Sequence, residues 1–200
     1  MKLHQNILFG LIPSFLIFTK ANAVYISGLK LLIKGQGDLL DSSPFKQQVK
    51  PVPESAHGIT FPIDTVGAQS SRQVINFNGN GKAVGSAMGL PGGDAPRTII
   101  GWFKNTGGSS SYATGPFGYG STGYSTAFWS YLAGTPQALY LAYWATNVGP
   151  INPVLAPVVD EQWYHVAFAW DGEKNIVYMD GHYVKEGIPP VRPNTNVNTS

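Results

Sequence analysis

Cysteine is absent from the 200-residue chain. That alone removes disulfide scaffolds, thiolate zinc sites, iron–sulfur clusters and cysteine nucleophiles. Charge is scarce as well: 12% of the residues are Asp, Glu, Lys or Arg, about half the share usual in a globular domain. Beyond Ala23, eleven basic residues face eleven acidic ones. Nucleic-acid binding needs a clustered basic surface to displace counterions from phosphates, so this balance argues against it. Long apolar runs are missing too. The longest, Ile7–Phe18, covers twelve residues, short of the roughly 20 that a helix needs to cross a bilayer. No stretch combines a 3.6-residue apolar period with caps at both ends, so amphipathic helices are not expected.

Aromatic side chains are abundant. Ten Tyr, ten Phe and five Trp, within a hydrophobic share of 43%, are ample for a core. Gly 24 and Pro 15 together stay below the level of about 25–30% at which unstructured chain becomes the default. The first 23 residues read as a secretory signal: Lys2 as the positive start, Ile7–Phe18 as the apolar segment, and Ala21-Asn22-Ala23 as the small-x-small cleavage site. No cysteine follows to accept a lipid. The expectation is an exported, secreted or extracellular protein with no membrane span in its mature chain.

From Val24 onward the apolar period is two, the period of strands. Trp163–Trp170 places Tyr164, Val166, Phe168 and Trp170 on one face, and Trp163, His165, Ala167 and Ala169 on the other. Arg97–Lys104 is apolar on both faces. Further strands are expected at 126–132, 138–144, 175–179, 73–77 and 28–33. Asp171-Gly172 and Asp180-Gly181 supply residues that accept turn conformations with positive φ. Residues 36–71 are rich in Pro, Ser and Gln and suit a surface excursion. Residues 105–125 are rich in Gly and Ser yet carry four aromatics, which suggests loops around a short strand within Tyr112–Tyr119. Many short strands joined by such turns predict an all-β protein, a sandwich or a jelly roll. Trp102, Phe168 and Trp170 are expected in its core.

Four stretches, in order, carry a family likeness: Val74–Asn80, Thr98–Lys104, Trp163–Gly172 and Ile176–Gly181. With Gly28–Lys34 and Leu40–Ser43 they resemble the strands and turns of laminin-G-like jelly rolls in the concanavalin A-like lectin/glucanase superfamily. The likeness spans about residues 28–187. It implies a two-sheet antiparallel jelly-roll sandwich over 24–200 that holds carbohydrate or protein ligands outside the cell, in some relatives through calcium. Relatives continue past the Ile176–Gly181 stretch with two closing strands, and after Gly181 only nineteen residues follow here. Pro189, Pro190 and Pro193 disfavour a central strand there, since proline has no N–H for a ladder. The expectation is a domain lacking its closing strands, completed by further sequence or by a partner chain.

Fold does not name function, so sites must carry it. Glycoside hydrolysis needs two carboxyl groups about 5–9 Å apart. Superfamily glucanases set them as Glu-x-Asp-x-Glu along one strand, and no such spacing occurs here. No Gly-x-Ser-x-Gly elbow is present either. A non-catalytic role follows, with hydrolase chemistry ranked third. His165 reads as a packing residue. Calcium, which takes six to eight oxygen ligands, is the cofactor left open. Its candidate ligands are Asn78, Asn80 and Asp94, although Lys82 repels a cation and turn stabilisation is the simpler role for all three. Sugar rings pack apolar faces on aromatic surfaces while amides meet their hydroxyls. Tyr112, Tyr119, Tyr124, Trp144 and Asn147 are the candidate ligand-binding residues, with Tyr143 and Asn152 beside them; burial in the core is the competing role for the aromatics. Asn198-Thr199-Ser200 is a glycosylation sequon in a eukaryotic secretory route.

Two roles stay open on the sequence: recognition of carbohydrate or an extracellular protein, or a structural module that helps assemble a larger extracellular protein. The leader gives the first test. N-terminal sequencing of the exported protein is expected to begin at Val24; a start at Met1 contradicts the signal-peptide reading.

Overall fold

The computed structural model describes residues 29–52, 58–67, 71–78, 81–107, 116–121, 123–133, 138–143 and 158–198. The expected signal segment lies outside them. No α-helix occurs among the described residues, and no helix there is long and apolar enough to cross a membrane. In chain order the strands are β1 (Val49–Pro51), β2 (Ile59–Thr60), β3 (Ile63–Thr65), β4 (Ser71–Gln73), β5 (Asn76–Phe77), β6 (Ala83–Gly85) and β7 (Arg97–Lys104). There follow β8 (Gly118–Gly120), β9 (Ala127–Ala133), β10 (Ala138–Ala142), β11 (Trp163–Trp170), β12 (Asn175–Met179) and β13 (His182–Gly187). All pairings are antiparallel. A four-stranded sheet has the order β13-β12-β11-β7 and a three-stranded sheet the order β10-β9-β8. Three short ladders, β1–β6, β2–β5 and β3–β4, accompany them.

β11 organises the larger sheet. It pairs over all eight residues with β7 and over five with β12. The alternation read from its sequence sets its faces: Tyr164, Val166, Phe168 and Trp170 are buried, and the residues between them are half-buried. Its turns close locally. Asp171 Oδ1 accepts the amides of Glu173 and Lys174, both at 2.8 Å, and Gly172 takes φ +103°. Asp180 and Gly181 both have positive φ, the geometry of a type I′ hairpin, whose twist matches that of the strands. Asp180 also exchanges hydrogen bonds with His165 on β11, which ties that hairpin to the sheet.

The two sheets share one apolar core. The larger sheet contributes Phe103, Tyr164, Val166, Phe168, Trp170, Val177 and Met179; the smaller gives Phe128, Leu132, Leu139 and Leu141. Tyr143, expected near a loop or on a face away from the core, is instead buried in it, and its hydroxyl donates to Asn175 Oδ1 across the sheets. Burial raises this phenol strongly.

Trp102 is a second correction. Phe103 faces the core, while Trp102 lies half-buried on the outer face, its ring 5.1 Å from that of His165. β7 is apolar on both faces, so its pattern alone names no inner face. The register does: Tyr164 stands opposite Phe103, and His165 opposite Trp102. The strand expected at 73–77 divides into β4 and β5, and the one expected at 28–33 reduces to a bridge between Ile33 and Asp41.

That bridge encloses a buried carboxylate. Asp41, 5% exposed, accepts the amides of Leu32, Ser43 and Gln47 and the Ser43 hydroxyl. Burial alone would raise it, but these donors outweigh burial and hold it below the ordinary 3.8. A lowered folded pKa gives stability that is present above the unfolded value and is lost as pH falls through the folded one.

Two outcomes follow. Phe168→Ala is expected to cost about 3–5 kcal/mol in urea unfolding, because it opens a cavity at the centre of the core; a near-neutral effect contradicts the face assignment. Asp41→Asn is expected to cost about 1.5–3 kcal/mol at neutral pH and to lose that deficit in acid, where the wild-type carboxylate is protonated too. A deficit that persists undiminished at low pH contradicts the charge-based account.

Candidate functional site

Arg97 begins β7, and the pleat turns its side chain inward, where it is 6% exposed. Its guanidinium is used almost completely. Nε donates to Ala95 O at 2.8 Å, Nη2 to Gly93 O at 2.7 Å, and Nη1 to Thr195 Oγ1 at 2.6 Å and, more distantly, to Tyr119 Oη at 3.4 Å. The same group lies 5.6 Å from the Phe128 ring centroid and 6.0 Å from that of Tyr119, distances at which a ring quadrupole attracts a cation. One side chain thus joins the 91–95 loop, β8, β9 and the 193–198 segment.

That C-terminal segment is extended and paired on both sides. Gly93 and Thr195 exchange two backbone hydrogen bonds, while the Asn194 and Asn196 amides donate to Ser125 O and Thr126 O. Ser125 Oγ adds a bond to Arg192 O at 2.7 Å. Alternation does the rest. Thr195 points inward and is 2% exposed, and Val197 packs where Gly92 has no side chain: a Cβ on Gly92 would lie 2.8 Å from Val197 Cγ2.

Between these elements runs an open groove of about 340 Å³, lined by Gly93, Thr126, Asn194, Thr195, Asn196, Val197 and Asn198. Asn194, Asn196 and Asn198 alternate along the segment, so extended geometry spaces them about 6.6 Å apart. Amides both donate and accept, as sugar hydroxyls do. Asn196 Oδ1 already accepts the Asn198 amide. Beside the groove, the turn at 123–126 carries Tyr124, 64% exposed. The turn is tightly built: Thr126 bonds Gly123 and Ser121, and Ser125 takes φ +60°. Gly120 is required beneath it, at φ +114°, where a Cβ would come 2.3 Å from Thr126 O. At the rim, Asp94 and Arg192 pair at 3.5 Å, both well exposed.

Three residues singled out by sequence gather at this corner. Tyr124 and Asp94 are exposed there. Tyr119 lies deeper, packed against the core, its hydroxyl donating to Pro91 O at 2.8 Å. Burial raises that phenol, and the nearby Arg97 charge draws it down. Asn78 is elsewhere, at the end of β5, its amide bonded to Gly58 O. Tyr112, Trp144, Asn147, Asn152 and Asn80 lie outside the described residues. Sequence reasoning missed Arg97, Thr126, Thr195, Asn194 and Asn196 and took Asn198 only as a sequon; the one local signal was the every-second-residue recurrence of Asn in 194–198.

Acid–base candidates elsewhere are engaged with one another. Lys104 Nζ pairs with Asp64 at 2.5 Å and Glu161 at 3.3 Å, and Trp163 Nε1 donates to Asp64. The Asp64 carboxylate raises Lys104, and Lys104 in turn lowers Asp64. Asp160 accepts the Asn105 side chain. These contacts pin the β3–β4 hairpin and the start of β11 to the sheet. His165 packs on Trp102, and its burial lowers its pKa against the opposing pull of Asp180. Among the described residues, no group of three or more His, Cys, Asp or Glu is placed to hold a metal ion.

Thr195→Val keeps the shape of the buried residue and deletes the acceptor of Arg97 Nη1. It is expected to cost about 1–3 kcal/mol in urea unfolding, because a buried donor is left unmade. A change within a few tenths of that unit contradicts a structural role for this bond.

No protein-family model, curated protein or solved structure matches the chain.

Proposed function

We propose that the protein is a secreted or cell-surface, non-catalytic recognition module that binds carbohydrate or a protein ligand in the groove at 93, 126 and 194–198. The observation that carries this reading is the lining itself: alternating amides and a threonine hydroxyl in a concave site, beside an exposed tyrosine on a tightly bonded turn. Hydroxyl-rich ligands need paired donors and acceptors in that arrangement, and an aromatic face for their C–H side. Such a site recognises without transforming, since its lining holds no acid, base or nucleophile beyond hydroxyls and amides.

On this reading the finer fold is a concanavalin A-like jelly roll of the laminin-G-like kind. The stretches that carry that resemblance coincide with β5, β7, β11 and β12, of which the last three are neighbours in one sheet. Export by the 1–23 leader places the module outside the cell.

The alternative, a structural module in a larger extracellular assembly, draws on a different surface. Tyr178 and Tyr183 meet edge-to-face at 6.1 Å on β12 and β13, and both are exposed. The two readings separate on a glycan array probed with the mature protein in calcium and again in chelator. Retention of saccharides that Tyr124→Ala and Asn194→Ala weaken about tenfold or more, with unchanged melting temperature, is the expected result; each contact of that size corresponds to about 1.4 kcal/mol. Silence in both conditions favours the structural module, and release of reducing ends from a polysaccharide panel would revive hydrolysis.

A further inference from the structure

We propose that the β1–β6 ribbon and the 40–46 loop beside it form a docking surface for an anionic phospholipid membrane, which takes exposed apolar side chains into its interface and lysines onto its headgroups. This surface shares no residue with the groove at 93, 126 and 194–198 and needs no ligand there.

Charge is unevenly divided along the chain. Residues 29–52 and 81–90 carry Lys30, Lys34, Lys46, Lys50 and Lys82 against Asp38 and Asp41. The other residues beyond Ala23 carry six basic against nine acidic ones, so the even balance of the whole conceals one basic region. Within it, Asp41 turns its carboxylate inward to the amides of Leu32, Ser43 and Gln47. Lys34, Lys46 and Lys50 are exposed, and the ion pairs among the described residues involve Lys104, Lys174 and Arg192 instead. Asp38 is the one exposed acid on these two segments.

The same segments present large apolar side chains to water. Leu40 is 69% and Met88 70% exposed, and Phe45 and Val84 are exposed as well. Pairing and hydrogen bonds gather them with the lysines. Lys50 stands opposite Val84 in the β1–β6 ladder, so the two share a face. Gln47 Nε2 donates to Met88 O at 2.7 Å, which holds the turn through Met88 against the 40–47 loop. Lys30 Nζ lies 4.2 Å from the Phe45 ring centroid, within reach of the ring quadrupole. The turn beneath Phe45 is set: its amide donates to Ser43 Oγ at 3.2 Å, and Lys46 takes φ +50°.

That pairing of chemistries names the partner. Exposed apolar residues scattered singly are ordinary on a protein surface, but here four occur on two tied segments that also carry five lysines. A soluble polyanion meets the lysines and leaves Leu40, Phe45 and Met88 in water. A bilayer interface takes both kinds, because apolar side chains enter the boundary between headgroups and acyl chains while ammonium groups meet anionic headgroups. Lysine suits such a place, since its methylene stem lies along apolar surface while its charge stays in water. Lys30 above Phe45 has that arrangement already.

Flotation with vesicles tests this. The mature protein is mixed with vesicles of phosphatidylcholine alone, or of equimolar phosphatidylcholine and phosphatidylglycerol. Binding to the anionic vesicles is expected to exceed binding to the neutral ones about tenfold or more, and to fall as sodium chloride rises. Lys46→Gln with Lys50→Gln removes charge, and Phe45→Ser with Met88→Ser removes apolar surface. Each pair is expected to weaken anionic binding about tenfold or more, with the melting temperature kept because all four side chains are exposed. Val84→Ser, on the same face as Lys50, reads the apolar loss again should the Phe45 and Met88 pair lower the melting temperature. No binding to either vesicle, or equal binding to both, overturns the proposal. Anionic binding undiminished by the lysine substitutions overturns the placement on this surface. Anionic binding undiminished by the apolar ones makes the surface a site for polyanions at large and overturns the membrane reading.

Discussion

The buried guanidinium of Arg97 is the constraint on which this corner of the molecule depends. Planar and permanently charged, it carries its donors in a fixed fork, so its acceptors must come to it. Four segments do: the loop through Gly93 and Ala95, β8 through Tyr119, β9 through the Phe128 ring, and the C-terminal segment through Thr195. Lysine would hold the charge without the geometry. The bond to Thr195 closes a loop of 98 residues, and the backbone exchange between Gly93 and Thr195 extends that closure along the chain. The groove exists because these segments meet.

Beneath the clasp lies the shared core, which fixes where β7 can stand. Trp170 is buried in it, yet its indole N–H escapes to Asp94 O at 2.8 Å. That bond satisfies a polar handle that would otherwise be costly so deep in the protein, and it anchors the rim loop from below. The Tyr143 hydroxyl does the same for Asn175 across the sheets. Core and groove are therefore coupled by the polar ends of aromatic residues, whose rings contribute the apolar burial.

Much of this was legible because it is local. β11 and β12 end where the alternation ends, and their turns lie in Asp-Gly pairs whose backbone preferences need no tertiary context. Legibility stopped where two faces looked alike. In Thr98–Lys104 both alternating sets are apolar, and only the opposition of Tyr164 to Phe103 decides between Phe103 and Trp102. Tyr143 failed for a related reason: a residue just past a strand end can turn toward the core or away from it, and its partner Asn175 is 32 residues distant. The groove was hidden almost completely. Its lining comes from positions 93, 126 and 194–198, and nothing in the neighbourhood of Arg97 in sequence announces that its acceptor is Thr195.

If Arg97 is what seats the C-terminal segment, the Thr195 amide, donated to Gly93 O, reports that seating directly. Local opening and global unfolding are distinguished by native-state hydrogen exchange, residue by residue. In the wild-type protein the Thr195 amide should be protected to a degree approaching that of Val166 and Phe168 in β11. In Arg97→Gln its protection should drop toward that of an exposed loop while β11 stays protected. Rapid exchange at Thr195 in the wild type, or protection there that is indifferent to the loss of Arg97, would contradict the account.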